Sequence, residues 1–230
     1  VYLRGDNYSR DRDRIMQLLQ VASDKGKIDT SKETNYLSFK ISEIAFKQYG
    51  NMMWFEEEDL EWGFNKENGR LVIKAKGPLE DYADGRKTCQ MKDYDLSSGV
   101  ITSPWLRKYR EEIKSILVCH GVSSIGAWAF HNCKNLESVA LPNSVKSIGN
   151  LAFDYCVRLK TIKIPESVET IGNQAFGSCH FYSIKIPTSV VSFSGNPFVR
   201  WENPEAIDIS ENRNFIFVDG VLMDKEKTQI

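Results

Sequence analysis

From residue 113 onward, apolar residues return to the same positions every 23 residues. Aligning the chain on Ile125, Ile148 and Ile171 brings Gly126, Gly149 and Gly172 into one column. Phe130, Phe153 and Phe176 form a second column, and Cys133, Cys156 and Cys179 a third. One coil carries Leu136, Val139, Leu141, Val145, Ile148, Ala152, Phe153 and Cys156. The coil before it fills those slots with Ile113, Ile116, Val118, Val122, Ile125, Ala129, Phe130 and Cys133, and the coil after it with Leu159, Ile162, Ile164, Val168, Ile171, Ala175, Phe176 and Cys179. A fixed period of this length marks a repeat architecture. Eight apolar positions in 23 are too few to close a core within one coil. Each coil must bury its faces on its neighbours, so the stack is the stable unit.

Within a coil, Leu136-x-x-Val139-x-Leu141-Pro142 reads as a strand with alternating faces. Stacking pairs these strands in parallel and in register, and Pro142, Pro165 and Pro187 end them. Cys119 stands where the next three coils have Pro. The Ile-Gly pair predicts a bend at positive φ, and Ala-Phe-x-x-Cys predicts a single helical turn. The pattern then frays. The coil from Phe181 is one residue short, with Phe198 in the Phe slot, Pro197 in place of Ala and Trp201 in place of Cys. A strand is expected at Ala206-Ile207-Asp208-Ile209, and a hairpin from Phe215 to Met223 around Asp219-Gly220.

Ahead of the repeats the periodicity changes. Ser9 and Gly26 bracket a predicted amphipathic helix over 10–24, with Ile15, Leu18, Leu19 and Ala22 on one face. Residues 36–49 are apolar and fit either a strand or a short helix. Met52-Met-Trp-Phe55 predicts a strand. Leu60, Trp62 and Phe64, then Leu71, Ile73 and Ala75, alternate around Asn68-Gly69 and predict a hairpin over 60–76. Residues 83–102 read as a long surface loop. Ser103-Pro104 starts a short helix to about Glu111, with Ser103 as cap and Trp105 inward. Three regions result: an α+β segment over 1–59, a hairpin and capping segment over 60–112, and the solenoid over 113–230.

Composition narrows the function. Thirty Lys and Arg against 31 Asp and Glu leave a net charge of −1, which disfavours nucleic acid as a partner. No apolar run is long enough to span a membrane. The chain opens on Val1 and stops at Ile230 inside what reads as a further unit, so it is expected to be a piece of a longer protein.

Candidate chemistry is sparse. The ladder cysteines recur once per coil among apolar companions, the pattern of a reduced, buried column and not of a zinc site. His131 and His180 lie out of step with one another and do not stack. Glu56 to Asp59 lack the alternation of a calcium loop and read as a solvated rim. Arg4-Gly5-Asp6 matches an integrin-type motif, but three residues match often by chance. No nucleophile elbow, phosphate loop or metalloprotease motif is present, so neither enzyme activity nor a cofactor is expected. The outward strand positions are Ser115 and Leu117, Ser138 and Ala140, Thr161 and Lys163, Ser183 and Lys185, and Asp208. They form a shallow strip of mostly small residues with a basic spot at Lys163 and Lys185.

Blocks such as GVSSIGAWAFHNCKNLESVALPNSVKSIGNLAFDYC resemble the BspA-like leucine-rich repeats of bacterial surface proteins. LEWGFNKENGRLVIKAKGPLEDY resembles the cap that often precedes them. The resemblance implies an α/β right-handed solenoid, about 23 residues per coil, with a parallel sheet on its concave side after a mixed α+β cap. It also implies extracellular or cell-surface display and non-enzymatic recognition or adhesion. The partner would be a host or matrix protein or a cell-surface glycan, bound on the strip above. The alternative is a structural spacer that displays another domain of a longer protein.

Overall fold

The computed structural model describes residues 52–77, 82, 87–95, 102–201, 206–218 and 221–224. The helix expected over 10–24, the apolar region 36–49, Arg4-Gly5-Asp6, parts of the 83–102 loop and the Asp219-Gly220 turn lie outside the described residues.

Strands β1 (Met53–Glu57), β2 (Leu60–Asn65) and β3 (Arg70–Ala75) form an antiparallel meander. The expected hairpin is β2–β3, closed by a four-residue turn in which the Asn65 side chain accepts from the Glu67 and Asn68 amides. Its alternation points Leu60, Trp62, Phe64, Leu71 and Ile73 into the core. The acidic run is bound as a rim: Lys76 holds Glu56, and Lys92 holds Glu57 and Glu58.

The segment expected to be a surface loop is instead structural at 87–95. It contains β4 (Cys89–Gln90) and buries Cys89, Met91 and Tyr94. Helix α1 (Pro104–Tyr109) follows, with Trp105 fully buried. Ser103 sits at the N-cap but its side chain makes no cap bond. The hydroxyl donates to the Ala129 carbonyl at 3.4 Å, beside the Trp105 indole N–H at 2.7 Å.

The coils then begin with β5 (Ser115–Val118), β6 (Val122–Ile125), β7 (Ser138–Ala140), β8 (Ser147–Ile148) and β9 (Thr170–Ile171). They continue with β10 (Ile184–Lys185), β11 (Ser192–Phe193), β12 (Ile207–Asp208), β13 (Phe215–Val218) and β14 (Val221–Asp224). The first sheet has the order β1-β2-β3-β5-β7, so the cap meander and the first two coils share one sheet, joined by the parallel β3–β5 pair. The third coil buries Leu159, Ile162 and Ile164 in the expected slots but forms no strand there, and parallel pairing resumes only at β10–β12. The β13–β14 hairpin is antiparallel as expected.

A second parallel sheet, β11-β9-β8-β6-β4, runs through the Ser-Ile positions. Those positions were expected to be a bend at positive φ, but Gly126, Gly149 and Gly172 are not among the positive-φ glycines. The requirement is close approach. A Cβ on Gly149 would lie 2.4 Å from the Ala127 amide nitrogen, and one on Gly172 2.4 Å from that of Asn150. The left-handed residues lie further on and are not glycines: Trp128 and Asn132, Leu151 and Tyr155, Gln174 and Ser178. They shape each Ala-Phe-x-x-Cys segment into two successive turns, closed in the first coil by Ala129 N–H to Gly126 and Cys133 N–H to Phe130. The expected helical turn is therefore absent. The flattened turns leave alternate amides free to bond along the stack, Phe130 to Ala152 and Phe153 to Ala175, each at 2.8 Å.

The core is a column of rings. Trp105, Phe130, Phe153, Phe176 and Phe198 stack face to face in order, with centroids 5.2–6.0 Å apart. Burial of each Phe is worth about 1.5–3 kcal/mol. Trp105 closes the column at the cap. Phe193 and Phe215, 4.3 Å apart, carry apolar packing on to the last hairpin.

Candidate functional site

The strand face was the candidate surface, and alternation within each strand decides what it displays. Cross-strand register builds one row along it: Trp54, Gly63, Val72, Leu117, Ala140. Trp54 and Met52 fold over Gly63, where a Cβ would come within 2.9 Å of both. Val72, Leu117 and Cys119 form a small apolar cluster of their own, with Met52 and Ala140 packed on it. Leu117, expected to be outward and available, is therefore only 6% exposed.

A second row runs from Arg70 through Ser115 to Ser138. The Arg70 Nε donates to the Ser115 hydroxyl at 3.3 Å. Lys74 pairs with Glu61 at 2.6 Å and lies 5.8 Å from the Trp54 ring centre.

Further along, Thr161, Lys163, Ser183 and Lys185 are exposed. The basic spot is half neutralised, because Lys185 pairs with Glu211 at 2.7 Å. That bond raises the Lys185 pKa from its ordinary value. Asp208 lies beside Lys185 in register. Its carboxylate accepts from the Ser210 hydroxyl and amide, which hold its pKa down. Lys163 forms no ion pair among the described residues. Tyr182, two residues before β10, is 78% exposed. Its amide bonds the Lys160 carbonyl of the preceding coil, and the Lys160 ammonium lies 5.8 Å from its ring centre.

Three strand-face residues escaped the sequence reading. Trp54 and Arg70 lie on strands not expected to join this sheet, although the hairpin's alternation already marked outward positions. Tyr182 sits just outside the strand, in the coil that is one residue short.

The cysteines are settled as core. All five are buried and free. Cys156 donates to the Phe130 carbonyl at 3.3 Å and Cys179 to the Phe153 carbonyl at 3.2 Å. Trp201 inherits the slot and the bond, since its indole N–H reaches the Phe176 carbonyl at 2.8 Å. Burial pushes the Cys89 thiol up to about 11 and the Cys119 thiol up to about 12. The ladder thiols rise too, each first by burial.

The histidines do not converge. His131 lies 3.4 Å from Asp154, and Arg200 reaches the same carboxylate at 3.5 Å from two coils on. His180 approaches the Val157 carbonyl. Among the described residues no His, Cys, Asp and Glu cluster fits a metal ion, and no helix is long and apolar enough to cross a membrane.

This geometry defines a class first: a repeat solenoid whose coils share backbone ladders and a core column. Residues 108–218 match the family described as BspA type leucine rich repeat region, in 6 copies. Over these residues the chain carries that repeat, a type that typically serves in structural and protein-interaction modules and is not typically catalytic. Among solved structures, the chain is similar to a leucine-rich repeat protein from Eubacterium ventriosum, with a TM-score of 0.51 and 22% identity. That match covers 76% of this chain and 49% of the other, so the chain spans about half of that protein's length. A leucine-rich repeat protein from Bacteroides ovatus matches at 24% identity and a TM-score of 0.41, covering 67% of this chain and 40% of the other. The pneumococcal vaccine antigen PcpA matches at 17% identity and 0.41, covering 76% and 55%. Nothing among curated proteins matches the chain.

Proposed function

We propose that this chain is a recognition module displayed outside the cell, and that it binds a protein partner along its strand face. The observation that carries the reading is Tyr182. It is 78% exposed on the rim of that face, in the coil after the one that carries the unpaired Lys163 and the exposed Thr161. Exposed Tyr is the kind of rigid anchor in which interface energy concentrates. Around it Thr161, Ser183, Ser138 and Ala140 are small enough for a large partner to lie flat, and Ser115, Lys185 and Asp208 extend the strip, whereas Leu117 lies covered beneath it. At the cap end Trp54, 38% exposed, stands over the apolar row. The BspA-type repeats support surface display and a protein as the partner.

The test is saturable binding of the purified chain to immobilised extracellular-matrix proteins and cell-surface glycans. Binding to a protein should be lost in the double variant Tyr182→Ala, Lys163→Glu and kept in Tyr155→Ala, which alters the turn face. Unchanged binding by the double variant would remove the strand face from consideration. The absence of any saturable partner would favour the spacer role instead.

A further inference from the structure

We propose that the turn face of the solenoid carries a binding site for an N-acetylated sugar, built on Tyr155 and Arg200 and separate from the strand face. Side chains from successive coils meet across it without a break. The Trp128 ring lies 4.6 Å from the His131 ring, and His131 lies 6.0 Å from the Tyr155 ring. The Arg200 guanidinium carbon lies 5.0 Å from the centre of the Tyr155 ring. Tyr155 is 39% exposed, and the Arg200 side chain 49%.

These residues stand where the backbone suits them least. Asn132, Tyr155, Ser178 and Arg200 hold the same position in successive coils, directly before Cys133, Cys156, Cys179 and Trp201. All four are left-handed, at φ 61, 59, 51 and 63. Asn tolerates that region through its short polar side chain, whereas Tyr and Arg gain nothing from it. Trp128 at φ 60 and Gln174 at φ 55 repeat the mismatch in a neighbouring column. Neither Tyr155 nor Arg200 belongs to the core that could repay the strain. Backbone held in this way gathers at ligand sites.

The polar groups are fixed from below. Asp154 is buried, and its carboxylate lies 3.5 Å from Arg200 Nη2 and 3.4 Å from His131 Nε2. The Ser178 hydroxyl accepts from Arg200 Nε at 2.8 Å, and Gln174 Oε1 accepts from Nη2 at 3.4 Å. The guanidinium is thus held over Tyr155, and the Gln174 acceptor is occupied. What remains are donors. Arg200 Nη1, Gln174 Nε2 and Trp128 Nε1 make no hydrogen bond among the described residues. A ligand must therefore bring acceptors. Asp154 already offsets the charge of Arg200, so the ligand need not be an anion. An N-acetylated hexosamine combines the required parts: an apolar ring face for Tyr155, an uncharged body, and an acetamide oxygen for the free donors.

Solution NMR of the whole chain tests the site, with triacetylchitotriose and the methyl glycoside of N-acetylgalactosamine as probes. At least one should give saturable shifts at the Trp128 indole N–H and the Gln174 side-chain amide, while the Tyr182 ring stays unmoved. Cellotriose, which lacks the acetamide, should bind about tenfold more weakly or less. Tyr155→Asn removes the ring and suits the left-handed backbone, as Asn132 does. It should abolish the shifts at equal or higher Tm, whereas a Tyr155 that served only the fold would lose stability. Should that variant fail to fold, Arg200→Lys keeps the charge, loses the fork and should weaken binding about tenfold. No saturable shift with either sugar would overturn the proposal. So would shifts that survive both substitutions, cellotriose binding as tightly, or shifts centred on Tyr182.

Discussion

Gly149→Ala separates two explanations of the Ile-Gly pair. If the glycine served a positive φ, Asn would be the best replacement, because it tolerates the left-handed region. In the structure the φ is ordinary and the obstacle is the backbone of the previous coil, with Ala127 N at 2.4 Å, Gly126 C at 2.7 Å and Ala127 Cα at 2.9 Å from the new Cβ. Ordinary contact begins at 3.4 Å, so the shortfall is 3.4 − 2.4 = 1.0 Å. No rotamer relieves it, since every obstructing atom is main chain. The coils must separate there, at the expense of the 2.7 Å bond from the Gly149 amide to the Ile125 carbonyl. Overpacking costs about 1–3 kcal/mol, and a lost hydrogen bond about 0.5–1.5 kcal/mol. Alanine recovers about 0.4–1 kcal/mol by restricting the unfolded chain. The net expectation is about 0.5–4 kcal/mol, or roughly 1–16 °C in Tm for a chain of this size. Thermal and urea unfolding followed by circular dichroism measure it, with Asn at least as damaging as Ala. An Asn variant more stable than the Ala variant would refute the close-approach argument.

Trp201→Phe keeps the ring but removes the bond to the Phe176 carbonyl, and should cost about 1–3 kcal/mol in urea unfolding because a buried acceptor is orphaned. The thiols should be silent toward an aromatic disulfide reagent at pH 8 in the native chain and all five should react after denaturation, because burial raises their pKa and shields them; a fast-reacting native thiol would contradict the core assignment. The same shifts bound the stability profile on the alkaline side. A raised folded pKa gives stability that is complete below the unfolded thiol value of about 8.5 and is lost as pH rises toward the folded values. On the acid side His120 has a lowered folded pKa. The unfolded chain therefore takes up a proton first as pH falls below about 6.5, and stability declines from there by at most about 1.4 kcal/mol per pH unit for that one group. Unfolding titrations should show that acid-side slope reduced in His120→Gln, and an unchanged slope would contradict the assignment.

The period, the inward slots and the core column were legible in the sequence, because each coil must present the same residues to its neighbours and a linear pattern records that repetition directly. So were the hairpin over 60–76, the inward Trp105, Phe198 in the Phe slot and the packing of Trp201 in place of cysteine. The basic spot was legible as composition but not as charge, since Glu211 neutralises Lys185 from another strand. Other features existed only once distant segments met. The β3–β5 pair joins the cap to the coils between residues 45 apart, and it decides that Leu117 is covered while Trp54 and Arg70 share the strand face. The pairing of β4 with β6 turns a polar stretch into the first rung of the second sheet. The same holds for the Ile-Gly glycines, whose need appears only as a distance to the preceding coil. Periodicity reports which side of the chain turns inward. It carries no information about how closely two backbones approach, or which partner from elsewhere in the chain covers an outward residue, and those contacts set the shape and charge of the face available for binding.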